Sequence, residues 1–276
     1  MAHRTPVTFS QSNGMLQSLS GCCPSFLNGQ AGFFLVKRAK GARLHTLDGA
    51  VLHDFWLDDG RLPFGHAPRF TGQEQKNHVS TGILSGYAQP VHVRLLARLS
   101  RILPGYSLAF IAPSSIHRLE GIPHIKNCSR TAFVFSPSLL ADDERPALVL
   151  VNGTLGVDIL AWLPGQLEEL PDPYWPDSVS TVRALSVLAR LSGPHAPWPV
   201  CAALSERFVK IAGRFVEDRK GSSLRIALDE KFFQPLLHEG LYLARTGWIH
   251  FCTEHDPATV DRLARVIVHL KESPCV

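Results

Sequence analysis

The chain has no long apolar run. Its most hydrophobic stretch, Pro146 to Leu163, is broken by Asn152, Gly153, Gly156 and Asp158, so no membrane span is expected. There is no charge block either. The 28 Lys and Arg against 24 Asp and Glu leave a net charge of +4 with no run of five like charges, so neither nucleic acid nor membrane is expected as a partner. The six cysteines (Cys22, Cys23, Cys128, Cys201, Cys252 and Cys275) form no C-x-x-C unit, which excludes a zinc ribbon and a small disulfide scaffold. Reduced thiols and a cytoplasmic location follow as expectations. Leu19 to Cys22 looks like a lipoprotein cleavage box, but Ser10, Gln11, Ser12, Asn13 and Gln17 leave no apolar segment ahead of it. No Gly-x-Ser-x-Gly elbow, internal repeat or low-complexity tract occurs. Lysine is scarce in the centre, where Lys126 is the sole lysine between Lys76 and Lys210.

What is present suffices for a core: 276 residues, 45% of them hydrophobic. Residues 1–25 are rich in Ser, Gln and Gly and read as a loosely packed arm. From Pro90 to Leu103, Val91, Leu95, Leu99 and Leu103 share one helical face, and Pro104-Gly105 ends the helix. Ser107 to Ile111, Thr131 to Phe135 and Ala147 to Val151 suit buried strands. Residues 164–176 hold too many prolines for a regular element, and the apolar spacing from Val179 to Leu191 marks a second amphipathic helix. A boundary is expected near His195. Beyond it the pattern predicts a helix over 202–218, a strand at Leu224 to Leu228 and a helix at Glu230 to His238. Strands at Leu241 to Ala244 and Trp248 to Cys252 follow, then a last helix opening at Asp256-Pro257, with Asp as cap and Pro at its first position.

The densest local information lies between Arg43 and Trp56. Leu44 and Thr46, then Val51, His53 and Phe55, alternate with their neighbours around Asp48-Gly49, a dipeptide that favours a two-residue hairpin turn with positive φ at both positions. A basic, small-residue entry (Ala39 to Arg43), the Leu47-Asp48-Gly49 turn, Asp54-Phe55 and Gly65-His66 together resemble the N-terminal signature of class III aminotransferases. Within that family the wording is similar to the glutamate-1-semialdehyde aminomutase branch. The helix and strand from Val91 to Ile111 and the C-terminal unit, with its Glu239-Gly240-Leu241 turn and Thr253 to Asp256, also resemble family segments.

The resemblance implies an α/β fold, a three-layer remnant of the pyridoxal phosphate (PLP) transferase type. An α+β small domain is built from the N-terminal hairpin and the C-terminal unit. The segments implied are an arm at 1–25, the hairpin segment of the small domain at 26–75, a reduced large domain at 76–195 and the C-terminal small-domain unit at 196–276. It implies PLP as cofactor and no metal ion. PLP chemistry asks three things of a protein: an amine to hold the aldehyde, a carboxylate on the pyridinium nitrogen, and donors for the phosphate. At the position of the family's glycine-bearing phosphate loop stand Pro113-Ser114-Ser115, so Ser114 and Ser115 are the candidate phosphate donors. No Asp-Glu-Val-like strand end lies between Leu119 and Thr131 to supply the carboxylate. Pro146 to Gly156 is similar to the segment that carries the family's lysine, and Gly153 takes the lysine position. Glycine has no amine to offer.

The catalytic set is therefore expected to be empty, with Lys126 the one substitute amine, and a solvated surface lysine the better account of it. His250, Cys252 and His255 bring metal-ligating atoms together but lack a fourth ligand, so strand packing is expected there instead. His117 and His124 have no partner in the sequence. The expectation is a shortened, degenerate class III aminotransferase acting as a pseudoenzyme with a structural, binding or regulatory role. Because the family's complete enzymes are dimers, a homodimer or association with a related aminotransferase is implied. Two alternatives stand beside it: PLP chemistry kept by Lys126 or by a partner subunit's lysine, and a small-molecule or phosphate-binding module using Ser114 and Ser115.

Overall fold

A computed structural model of the chain describes residues 36–47, 49–80, 87–112, 125–126, 148–151, 155–165, 174–243 and 245–273. The elements run β1 Val36–Lys40, β2 Arg43–Thr46, β3 Val51–Asp54, α1 Leu57–Gly60, α2 Arg69–Val79, α3 Pro90–Ile102 and β4 Ser107–Phe110. Then come β5 Ile125–Lys126, β6 Leu148–Val151, β7 Ile159–Trp162, α4 Ser178–Leu191, α5 Trp198–Ala212, β8 Val216–Lys220 and β9 Ser223–Ile226. The chain closes with α6 Phe233–His238, β10 Leu241–Tyr242, β11 Trp248–Ile249 and α7 Pro257–Glu272. Two units form, one from the described residues up to Ala67 together with those from Val200 onward, the other from Pro68 to Pro199.

In the first unit, β1, β2, β3 and β10 make a four-stranded sheet, antiparallel except that β10 runs parallel to β3. The hairpin departs from the expected turn. Thr46 N donates to Ala50 O (2.9 Å) and Gly49 N to Thr46 O (3.2 Å), so three residues separate the closing pair, with Gly49 at φ +89°. That is the loop class in which a left-handed glycine forms a bulge. The consequence is a register one residue away from the expected one. A two-residue turn on Asp48-Gly49 would set Leu44 opposite His53, whereas Leu44 pairs with Leu52 and His45 with Val51. Because side chains alternate with period 2, that single slip exchanges the faces of β3. Leu52 and Asp54 are buried, and Val51 is exposed.

A second sheet, β11-β9-β8, packs with α5 and α7. Cys201, Leu204, Phe208 and Ala212 form the inward stripe of α5, and Val260, Leu263, Ala264 and Ile267 that of α7, around Phe55, Leu224 and Ile249. Asp256 caps α7 as expected, its Oδ1 accepting from Thr259 N (2.8 Å) and its Oδ2 from Thr259 Oγ1 (2.7 Å), with Pro257 at the first position. Thr259's hydroxyl is the main reason that the Asp256 carboxyl sits below its ordinary pKa. Three strand and helix boundaries are corrected. The helix expected to reach Asp218 stops at Ala212, a 3-10 turn follows at Gly213–Phe215, and Val216–Lys220 pairs with β9 through a Gly221-Ser222 turn. The strands expected to reach Ala244 and Cys252 end at Tyr242 and Ile249.

In the second unit the sheet order is β4-β7-β6-β5. β7 was hidden in the apolar run that ends at Leu163, and it pairs antiparallel with both β4 and β6. The helix α3 starts where expected: Gln89 caps it reciprocally with His92, and Pro90 takes its first position. His92 is fully buried, its Nδ1 accepting from Gln89 N (3.0 Å) and its Nε2 donating to Pro176 O (3.0 Å), with Phe110 and Trp175 packed against the ring. The helix α2 had no apolar stripe to read, since Thr71 is its only buried residue. It is tied to α4 by Ser186 Oγ donating to Glu74 and by Arg190 lying 5.0 Å over the Phe70 ring. The strand expected at Thr131 to Phe135 lies outside the described residues. No helix of the described residues is long and apolar enough to cross a membrane.

Two glycines test this backbone. A Cβ at Gly49 would meet nothing within 4 Å, so Gly49→Ala bears only the left-handed strain, about 1–2 kcal/mol. A Cβ at Gly247, φ +73°, would lie 2.2 Å from Ile226 O. Urea denaturation should therefore show Gly247→Ala destabilised by roughly twice as much as Gly49→Ala or more.

Candidate functional site

The described residues hold one dense cluster of titratable side chains, in the first unit at the end of β3. Asp54, 1% exposed, accepts through Oδ1 from Trp56 N (2.9 Å) and Leu57 N (3.0 Å), and its Oδ2 meets His66 Nε2 at 2.8 Å. These bonds hold the chain through the turn into α1, where Leu57 and Asp58 both adopt positive φ. The main chain at Asp54 is equally committed, its N–H donating to Ala42 O (2.9 Å) and its carbonyl accepting from His255 Nε2 (2.9 Å). A buried carboxylate is tolerable only when it is well hydrogen-bonded, and here three donors reach its two oxygens.

His66 and His255 carry the network outward. His66 exchanges two main-chain bonds with Gly41, N to O at 2.7 Å and O from N at 2.9 Å, which locks the 61–67 loop onto the β1–β2 turn. His255 is buried and stacks flat on Phe55, centroids 4.2 Å apart and planes within 6°. Its Nδ1 accepts from Cys252 N (3.1 Å), so with Nε2 donating to Asp54 O the neutral tautomer carries its proton on Nε2. Burial is the main reason its pKa is lowered to about 4. Thr253 N donates to Pro63 O (3.0 Å) and closes the junction.

The two described cysteines are protonated thiols. Burial pushes Cys252 up, and pushes Cys201 up to about 12, where its Sγ donates to Phe251 O (3.1 Å). A thiol so held is no nucleophile. The trio His250, Cys252 and His255 is split between partners: Cys252 Sγ lies 3.6 Å from His255 Nδ1, whereas His250 Nδ1 pairs with Ser223 Oγ (2.8 Å). Among the described residues no group of three could hold a metal ion. Asp54, His66 and His255 thus tie four segments together, and both Asp54 carboxylate oxygens are engaged within the protein.

No family model matches the chain. Among characterised proteins, glutamate-1-semialdehyde 2,1-aminomutase of Sulfolobus acidocaldarius is 37% identical over 71 residues, which amount to 26% of this chain and 17% of that enzyme's length. Among solved structures, a β-phenylalanine aminotransferase from Variovorax paradoxus superposes with a TM-score of 0.75 at 14% identity, covering 95% of this chain and 94% of that one. A glutamate-1-semialdehyde aminomutase from Pseudomonas aeruginosa gives 0.67 at 12% identity, over 85% and 86%. An ω-transaminase from Sphaerobacter thermophilus gives 0.71 at 11%, over 94% and 96%.

The fold is that of the class III, PLP-dependent aminotransferases.

Of the positions that the family resemblance singled out, Ser114, Ser115 and Gly153 lie outside the described residues, as do His117 and His124. Gly153 falls in the connection between β6 and β7. Lys126, the one substitute amine the sequence offers, belongs to β5, where it pairs in parallel with Val149 of β6. An amine for PLP needs a desolvated lysine. Lys37, Lys40, Lys76, Lys210, Lys220 and Lys231 are exposed and Lys271 is half-buried, and Lys220, Lys231 and Lys271 each lie over an aromatic ring. No lysine whose side chain is described fits the cofactor.

In the sequence Asp54 and His66 stand out only as parts of the family signature, which does not show that Asp54 meets both His66 and His255. The missing signal was the register of the hairpin. A pH dependence follows from His255. Its folded pKa, about 4, lies below its ordinary 6.5, so the unfolded chain binds the extra proton in between. The stabilisation is fully present above about pH 6.5 and is lost as pH falls toward 4, by about 3 kcal/mol in all. Urea denaturation along a pH series should show that slope, and His255→Gln should flatten it.

Proposed function

We propose that this protein is a class III aminotransferase scaffold, of glutamate-1-semialdehyde aminomutase type, that does not carry out PLP chemistry and serves a binding or regulatory role. The observation that carries the reading is Gly153, a residue without a side chain where the family's segment has its lysine. The lysines with described side chains support it, being solvated or laid over rings rather than desolvated. Pro113 contributes no N–H to an anion nest, and the family's glycine is absent from that turn, which leaves the hydroxyls of Ser114 and Ser115 as the phosphate donors.

One observation favours a second reading. Lys126 stands on β5, next in the sheet to β6, whose C-terminal connection contains Gly153. An amine from an adjacent strand is the nearest substitute this chain could offer, and PLP bound there would make the protein an active transferase. We propose in either case that two copies associate, or one copy with a related aminotransferase, since the family's sites are shared between subunits.

Absorbance from the near ultraviolet to the blue on mixing with PLP, then borohydride reduction and peptide mapping, separates the readings. We expect no stoichiometric adduct on a single lysine. An adduct at Lys126 establishes the second reading and ends the first. Titration with PLP, pyridoxamine phosphate and inorganic phosphate adds a phosphate-site test: a rise in Tm that Ser114→Ala and Ser115→Ala abolish would assign them the donor role. Sedimentation velocity over a concentration series should show a dimer, and a monomer at every concentration would remove self-association.

A further inference from the structure

Between Val36 and Leu47 the chain has four Lys and Arg residues and no acid. The register gathers three of them with a histidine. Lys40 stands directly opposite Arg43 and Arg38 opposite His45, so Arg38, Lys40, Arg43 and His45 share one face of the β1–β2 ribbon, with Val51 beside His45 on β3. Lys37, Arg38, Lys40 and Arg43 are exposed, and none makes an ion pair or side-chain hydrogen bond among the described residues. Glu254 packs against Gly41 at one end of the strip without pairing to any of them. Like charges directly opposite each other weaken a sheet, and no acid pairs with either of these two among the described residues.

Charge on an outer strand has a familiar purpose, which is to keep the edge from pairing with another chain. Among the described residues β1 is the outermost strand of its sheet, so that purpose would account for Lys37, Arg38 and Lys40. It does not account for Arg43 and His45. They lie on β2, inside the sheet, where there is no edge to protect. Val36 and Val51, 45% and 43% exposed, add apolar surface to the same ribbon.

We propose that β1 is a docking edge for an extended, acidic segment of a partner protein, which adds to the sheet as a further strand. Main-chain bonds to the outer side of β1 would hold the segment, and its alternate side chains would place carboxylates over Arg38, Lys40 and Arg43. The cationic pairs then repel in the free protein and are neutralised in the complex. The inference stands whether or not PLP chemistry is retained, because it draws on no residue of that chemistry.

The test uses the full chain and a fluorescein-labelled ten-residue peptide of alternating Glu and Val. Anisotropy should show saturable binding at about 20 mM salt that weakens at least tenfold at about 200 mM, where screening shortens the reach of each charge. Lys40→Glu with Arg43→Glu should abolish it. The milder Lys40→Gln and Arg43→Gln, each with an unchanged circular dichroism spectrum, should weaken it severalfold, and Arg43→Gln should raise Tm by about 1–3 °C as the repulsion is relieved. Amide exchange at Val36 to Lys40 should slow when the peptide binds. No peptide binding, equal binding of an alternating Lys and Val peptide, or unchanged exchange in β1 would each overturn the proposal. So would glutamine variants that self-associate without affecting peptide binding, the signature of edge protection alone. Binding only to phosphatidylserine vesicles or to a single-stranded oligonucleotide would overturn it in favour of a phosphate surface.

Discussion

The register of one hairpin governs the first unit. Three residues rather than two separate Thr46 from Ala50, and that odd count turns the alternation of β3 over. With the other register Val51 and His53 would point inward, and Asp54 would face water. With the observed one Leu52 packs against Leu44, and Asp54 enters the interior as a carboxylate whose bonds all go to the protein. Four segments then depend on it: the turn into α1, the loop bearing His66, the β1–β2 turn reached through Gly41, and the 250–256 loop reached through His255. That last loop ends in the Asp256 cap of α7, so a turn near residue 49 helps to position a helix that starts more than two hundred residues later.

What could be read in the sequence was the long-period signal with its punctuation. The helices α3 and α4 lie within about a residue of their expected limits and α7 starts where expected, because each combines an apolar stripe with residues that mark one of its ends. The helix α2 could not be read, since its contacts with α4 come from polar and aromatic side chains rather than a stripe. The helix expected over 202–218 runs into the strand Val216–Lys220, since Val216, Glu217 and Asp218 suit a helical turn as well as a strand. Its pairing with β9 decides the matter, and pairing is not a property of five residues. β7 was invisible for the opposite reason: Ile159, Leu160 and Ala161 are buried together, so no alternation marks them.

The cluster around Asp54 was half legible. Asp54, Gly65 and His66 stood out through the family signature, but the pairing among Asp54, His66 and His255 rests on which face of β3 is inward. One turn residue more or less reverses that answer, and Asp48-Gly49 is compatible with both loop classes. His255 illustrates the same limit in charge. Its sequence neighbours suggest a polar loop, whereas Phe55, 200 residues away, makes its surroundings apolar and its ring neutral.

The fold does not depend on the chemistry that the family's fold usually carries. Every bond that Asp54, His66 and His255 make is answered within the first unit, and none calls on an amine, a phosphate loop or a pyridinium partner. The reverse holds for the hairpin, where the like-charged pair Lys40 and Arg43 weakens the sheet and serves no packing. Stability therefore explains Asp54 and does not explain Arg43. A residue that the fold needs can persist in an inactive scaffold by folding alone, but a residue that burdens the fold requires something outside it. On the proposal of strand addition, that asymmetry assigns the binding role to the exposed, basic face of the hairpin and the architectural role to its buried acid.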